Sequence, residues 1–173
     1  AYMTGLERNA AVVRMASYAP LFANTDAWQW TPNLIWVDSL GVCRTPNYYV
    51  QQLFSCNRGD EVLPVTVDSK PSTESSGKLY VSSARDDAAG EVIVKLVNAD
   101  GIPVECDVKL NGTTVAGNSA RAIVLGGVDK NSVNSFLHPD TIAPVESTIP
   151  ASSTAIHQTL PANSMTVLRL KVK

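Results

Sequence analysis

The sequence predicts a mainly β protein: an antiparallel β-sandwich of jelly-roll type, preceded by a helix-strand-helix remnant of a (β/α)8 barrel. Three observations lead there. Nine of the eleven aromatic residues lie between Tyr2 and Phe54, and only Tyr80 and Phe136 follow. After Phe54 the chain turns to Val, Ser, Thr, Asn and Gly, in short alternating runs bounded by turn signals. The change falls at Asn57, Arg58, Gly59 and Asp60, a natural turn and boundary. Two regions are therefore expected, residues 1–58 and residues 59–173.

The first region reads helix, strand, helix. Thr4 and Glu7 have capping-box spacing, in which hydroxyl and carboxylate satisfy free N–H groups at a helix start. Met3, Leu6, Ala10 and Val13 follow at helical spacing, and Pro20 and Asn24 are expected to close the helix. The apolar run 34–37 (LIWV) has the pattern of a strand covered on both faces. Thr45 and Pro46 suit the N-cap and first position of a second helix. Its body, 47–55, pairs Tyr49 with Leu53 and Val50 with Phe54. Helices flanking a doubly buried strand imply parallel α/β architecture. One strand is not a sheet, so the piece reads as the last segment of a barrel. Its bare edges would then pack on the sandwich, pair with a second chain or be partly disordered.

The second region reads as strands throughout. Val92, Val94 and Leu96 line one face of a strand whose other face carries Ile93, Lys95 and Val97. Val108 and Leu110 alternate into Asn111-Gly112, a two-residue hairpin signal. Residues 168–173 (LRLKVK) alternate with period two, as a strand with one wet face does. Further strands are expected at 61–68, 79–84 and 120–125. Segment 70–77 reads as a loop within the domain and Gly126-Gly127 as a turn.

Composition removes several functions. Fourteen basic residues against sixteen acidic ones, with no run of like charge, leave no electrostatic footprint for nucleic acid or an anionic membrane. No apolar stretch approaches the roughly 18–20 residues that span a bilayer. Cys43, Cys56 and Cys106 give neither a disulfide framework nor a zinc pattern. Free thiols are the expectation, with a Cys43–Cys56 bridge left open for an oxidising compartment. His138 and His157 sit in loop-like sequence without partners at ligand spacing, and Asp86-Asp87 before Gly90 reads as a hairpin tip. No metal and no cofactor is expected. Trp28, Trp30 and Trp36 crowd into nine residues beside Asp26, Gln29 and Asn33. Large aromatics beside a buried strand serve as core filler, and aromatic faces with amide and carboxylate neighbours also suit a sugar platform. Asp38 stands at the downstream end of the apolar strand, where barrel strands present their active sites.

At these residues the chain also resembles a known family. Segments 1–9 (AYMTGLERN), 14–24 (RMASYAPLFAN), 30–36 (WTPNLIW) and 45–55 (TPNYYVQQLFS) are similar to the C-terminal part of α-L-arabinofuranosidases of glycoside hydrolase family fifty-one. The resemblance implies a retaining hydrolase that releases terminal arabinofuranosyl units from arabinan and arabinoxylan. Such enzymes work with two glutamates about 5 to 5.5 Å apart, through a covalent intermediate. It implies a catalytic barrel upstream of Ala1 that carries both glutamates, so no residue here is assigned as catalytic. Glu7 would belong to the helix after strand seven, and 34–37 would be strand eight. The substrate-contact candidates are Trp36, Asp38, Thr45 and Asn47. A polysaccharide-degrading parent favours an extracytoplasmic location.

Three roles are thus expected for the chain. It is an inactive C-terminal portion of such an enzyme, partnered by its own barrel and an arabinose-containing glycan. Alternatively the sandwich is a non-catalytic carbohydrate-binding module. In a third role, compatible with the first, the sandwich braces the barrel and makes contacts within a homo-oligomer.

Overall fold

The computed structural model describes residues 1–68, 70–71, 77–126, 129–153 and 155–173. Residues 72–76 of the expected loop and Gly127 of the expected turn lie outside them. In chain order the elements begin with α1 (Tyr2–Arg8), β1 (Phe22–Asn24), β2 (Ile35–Val37), β3 (Val42–Arg44) and α2 (Pro46–Cys56). There follow β4 (Glu61–Leu63), β5 (Thr66–Val67), β6 (Lys70–Pro71), β7 (Leu79–Asp86), β8 (Glu91–Asn98) and β9 (Val104–Lys109). The last four are β10 (Ser119–Gly126), β11 (Val145–Pro150), β12 (Ala155–Leu160) and β13 (Ser164–Lys171).

A six-stranded antiparallel sheet in the order β11-β10-β13-β8-β7-β4 forms the middle layer. Alternation on β8 sends Val92, Val94 and Leu96 to one face, where they meet Leu168 and Leu170 of β13 and Ile156 and Leu160 of β12. The antiparallel ribbon of β9 and β12 closes that face. Ile93, Ile123 and Val167 point to the opposite face and pack against Tyr49, Leu53 and Phe54 of α2. The sheet is thus covered on both sides. The chain is mainly β with antiparallel sheets, as the alternating runs require.

The second helix is where the sequence places it. The Thr45 hydroxyl accepts the Tyr48 N–H, and Pro46 fills the first helical position without losing a bond. The first helix is much shorter than expected. It ends at Arg8, its N-cap is Ala1, and the Thr4 hydroxyl donates to the Ala1 carbonyl at 2.7 Å. Glu7 makes no capping box because its carboxylate is taken by Lys95 and Ser82 of the sheet.

The expected solitary strand has neighbours on both sides. β2 pairs with β1 in parallel and with β3 in antiparallel register, and Leu34, just before it, is buried. Three-residue strands carry too little alternation to stand out in a sequence, so β1 and β3 were not foreseen. The strand 61–68 breaks into β4 and β5 around Pro64, which cannot donate to a ladder. The Asn111-Gly112 hairpin does not form. Gly112 does take φ +85°, but β9 pairs with β12, and the chain crosses to the other sheet. On the expected wet face of 168–173, Lys171 and Lys173 are exposed as the alternation requires, whereas Arg169 is drawn inward by ion pairs with Asp86 and Glu91. His157 lies in β12 rather than in a loop.

The 57–60 boundary is tightly bound to the sheet. Asn57 is buried, its amide donating to the Leu53 carbonyl and its Oδ1 accepting from Arg169. Gly59 passes so close to β7 that a Cβ there would lie 2.5 Å from the Arg85 carbonyl oxygen. Only glycine fits.

Candidate functional site

The four substrate-contact candidates all lie on the β2–β3 hairpin and the helix that follows it. Trp36 is half-buried in the middle of β2, opposite Ala23 on one side and Cys43 on the other. Its ring meets Trp28 edge-to-face, with centroids 5.8 Å apart. Trp28 is 50% exposed and Trp30 69%, so this aromatic group is open to solvent on one side.

Asp38 follows β2 directly and is exposed. Its Oδ1 accepts the backbone N–H of Leu40 at 2.7 Å and of Gly41 at 2.6 Å. That carboxylate therefore builds the turn between β2 and β3, and its second oxygen is left for a further donor. Phe136 lies beside Gly41: a Cβ there would meet the phenyl ring at 3.4 Å, an ordinary contact distance.

Thr45 and Asn47 sit at the other end of the hairpin. The register pairs Val37 with Val42 and Ile35 with Arg44, so the chain returns to the level of Leu34 before α2 begins. At about 3.3 Å per strand residue, Thr45 is separated from Asp38 by roughly the length of β2 and its flanks, on the order of 10 Å. Both functions of the Thr45 hydroxyl are occupied, since it donates to the Leu34 carbonyl at 2.8 Å while capping α2. Asn47 is half-buried in the first turn of α2. It borders a cavity of about 400 Å³ with Val50, Phe54, Ile142 and Met165, and a groove of about 530 Å³ with Met3, Leu6, Val13 and Tyr18. The structure thus pairs Trp36 with Trp28 and puts Asp38 just past the carboxyl end of β2, with Thr45 and Asn47 at the other end of the hairpin.

Two residues the sequence did not single out complete this region. Residues 129–144, between β10 and β11, lean against β3. Asn134 of that segment donates its amide to the Arg44 carbonyl at 2.9 Å, and Phe136 covers Gly41. The Tyr49 hydroxyl donates to Asp140 of the same segment at 3.2 Å, and burial, reinforced by that carboxylate, pushes its pKa up. No local sequence pattern marks these long-range contacts.

Several charged groups elsewhere are engaged in pairing. Lys95 is buried against Glu7, Arg169 joins Asp86 and Glu91, and His157 lies between Asp107 at 2.9 Å and Glu105 at 3.1 Å. His138 is exposed between β10 and β11, with its backbone N–H bonded to Ser135. Cys43, Cys56 and Cys106 carry free thiols. Among the described residues there is no group of three or more His, Cys, Asp or Glu side chains arranged to hold a metal ion. Among them, too, no helix is long and apolar enough to cross a membrane.

Comparison with known proteins places the fold. The family described as the α-L-arabinofuranosidase C-terminal domain matches residues 1–164. A probable α-L-arabinofuranosidase A of Aspergillus flavus is 40% identical over 170 residues, which is 96% of this chain and 25% of that protein. An extracellular exo-α-L-arabinofuranosidase of Streptomyces chartreusis is 42% identical over 109 residues, covering 62% of this chain and 13% of its own length. The arabinose-bound structure of a GH51 α-L-arabinofuranosidase superposes over 99% of this chain and 26% of its own, with a TM-score of 0.88 and 30% identity. The Thermotoga maritima enzyme, at 16% identity and a TM-score of 0.76, shares the fold over 96% of the chain. The chain spans about a quarter of the Aspergillus relative's length, corresponding to the C-terminal part, and those relatives are glycosidases. By the match over residues 1–164, this chain belongs to the α-L-arabinofuranosidase C-terminal domain family.

Proposed function

We propose that this chain is the C-terminal portion of a retaining glycoside hydrolase that removes terminal arabinofuranosyl units from arabinan and arabinoxylan. In this reading residues 1–58 contribute the last α-β-α segment of a catalytic barrel. Residues 59–173 form a jelly-roll-like accessory sandwich that braces it. The observation that carries the reading is the parallel pairing of β1 with β2. It is the one parallel ladder among the described strands, and β1 is an edge strand with no second partner strand among them. Parallel strands belong to sheets covered on both faces and continued by crossovers. The surface around this ladder is apolar and open, with Phe22 59% and Leu40 98% exposed. A barrel seated there would cover both the bare edge and that surface.

The glutamate pair belongs to the barrel in this reading, and Glu7, tied to Lys95, is a structural residue. The chain by itself then supplies no general acid and no nucleophile. In this reading Asp38, just past the carboxyl end of β2, and the neighbouring Trp36 and Trp28 border the sugar, because barrel enzymes build their sites at that end. Thr45 and Asn47 are positioned to shape the start of α2. The extracellular Streptomyces relative supports an extracytoplasmic location.

Incubation with p-nitrophenyl α-L-arabinofuranoside tests the assignment. The chain alone should release no p-nitrophenol above background, whereas the protein extended upstream of Ala1 should turn the substrate over. Turnover by the isolated chain would overturn it. A second reading, a non-catalytic carbohydrate-binding module, is favoured by the exposure of Trp28 and Trp30. Isothermal titration with arabino-oligosaccharides separates the two, since a binding module gives saturable heat without hydrolysis.

A further inference from the structure

We infer that residues 129–144 of the sandwich, between β10 and β11, are a positioning element for the β2–β3 hairpin, with Asn134 and Phe136 as the residues that hold it. The inference deepens the sugar-contact reading of Trp36 and Asp38 and rests on it for its functional meaning.

The geometry is a two-point brace. Asn134 has three bonds, and they divide between two tasks. Its Oδ1 accepts the Ile142 N–H at 2.7 Å and its amide donates to the Ile142 carbonyl at 2.9 Å, which closes the loop on itself. The same amide donates to the Arg44 carbonyl at 2.9 Å. That last bond takes a carbonyl at the very end of β3, next to the helix cap at Thr45. The second point is Phe136, whose ring packs on Gly41 at the opposite end of β3. Asp38 and Gly41 form one turn, closed by the Gly41 N–H on the Asp38 carboxylate and the Asp38 N–H on the Gly41 carbonyl. A ring lying beside Gly41 leaves that turn, and with it Asp38, less room to move.

The hairpin needs such support. β2 and β3 are three residues each, and a hairpin that short is marginal in isolation. The loop is itself anchored in the sheet-facing core by Ile142, which packs beside Ile123, Leu125 and Val167. The sandwich thereby sets the conformation of the turn that carries Asp38. A side chain held in this way presents its free oxygen in one direction, as preorganised contacts require.

Amide hydrogen exchange on the chain tests the brace. Asn134→Asp keeps the acceptor for the Ile142 N–H and loses the amide's bonds to both the Arg44 and the Ile142 carbonyls, while Phe136→Ala removes the ring from Gly41. Each should raise exchange at residues 38–44 tenfold or more and leave β8 and β13 unchanged, and Phe136→Tyr should stay within twofold of the parent. Unchanged exchange at 38–44, or a rise spread equally over β8 and β13, would overturn the brace. Titration with arabinotriose, followed at the tryptophan indole signals, reads the other half. Shifts at Trp28 and Trp36 that weaken in Asn134→Asp support the functional meaning. Signals that never move would sink the sugar reading and leave the exchange result standing by itself.

Discussion

Lys95 projects from the middle of β8 directly onto the carboxylate of Glu7 in α1, and its side chain has no solvent exposure at all. The ammonium also lies 5.2 Å from the centre of the Phe54 ring of α2, so one buried cation touches both helices. Burial lowers the Lys95 pKa, and the Glu7 carboxylate works against that shift by favouring the charged form. Around the pair, Ser82 donates to Glu7, and Arg8 donates to the Val81 carbonyl at 2.8 Å. α1 is thus fastened to the sheet by polar bonds rather than by its short apolar stripe.

Removing one partner of this pair should cost far more than removing both. Glu7→Leu leaves an ammonium buried without its counterion, a situation that typically costs about 3–5 kcal/mol. The double variant Glu7→Leu/Lys95→Met replaces the pair by apolar groups of similar size and should recover most of that loss. Urea denaturation of the two singles and the double measures it. A double variant no more stable than either single would show that the pair itself, rather than the isolated charge, sets the energy.

Arg169 should govern the acid limb of stability. It bonds Asp86 at 2.9 Å and Glu91 at 2.6 Å. The Ala89 N–H, foremost, and Arg169 hold Asp86 below the usual carboxylate range. Burial pushes Glu91 up, but the bonds from Arg169 and Lys171 together outweigh it and leave its pKa lowered. Carboxylates with depressed folded pKa values stabilise above their unfolded values of about 4, and that contribution is lost as pH falls through the folded ones. In Arg169→Met the burial of Glu91 is no longer offset to the same extent, so acid unfolding should begin at higher pH. Chemical denaturation at a series of pH values from neutral to 3 reads this directly; superimposable profiles would contradict it.

His157 should act on the opposite side of neutrality. The bond to Asp107, first, and the proximity of Glu105 raise its pKa above the usual value. A raised folded pKa means stabilisation that is complete below about 6.5, the unfolded value, and lost as pH climbs through the folded one. His157→Gln should therefore flatten the decline of stability in the window just above pH 6.5, while the profile below it keeps its shape. The side chain is largely exposed, so the effect should be small and shrink in high salt. Thermal melts between pH 5 and 8.5 at two salt concentrations check both statements.

The helix at 46–56 was legible because every local signal agreed: the Thr45 cap, Pro46 at the first position and apolar residues four apart. The strands β7, β8, β10 and β13 were legible from their apolar runs. What failed was whatever depended on a partner distant in sequence. Arg169 on β13 looked like part of a wet face with Lys171, which is exposed, yet Asp86 and Glu91, about eighty residues away along the chain, hold Arg169 half-buried. Glu7 looked like half of a capping box because its real partner is on β8. Lys95 itself was the overlooked signal, since a lone lysine inside EVIVKLVN must find a counterion if both faces of the strand are covered. In the candidate site, Trp36 and Asp38 were nominated from strand direction alone. Their support from Asn134 and Phe136, about a hundred residues later, leaves no trace in local pattern.

Thr45 offers the sharpest separation between supporting and contacting roles. Its hydroxyl caps α2 through the Tyr48 N–H and donates to the Leu34 carbonyl, which joins the helix start to the entry of β2. Thr45→Ala loses both bonds and should cost about 1 kcal/mol, the usual penalty for an N-cap. Thr45→Ser keeps the hydroxyl and should restore most of it. If the residue serves only as a cap, arabino-oligosaccharide binding should be equal in the parent and in Thr45→Ser at a temperature where both are folded. A serine variant that matches the parent in stability but binds sugar several-fold more weakly would instead give the threonine methyl a place against the ligand.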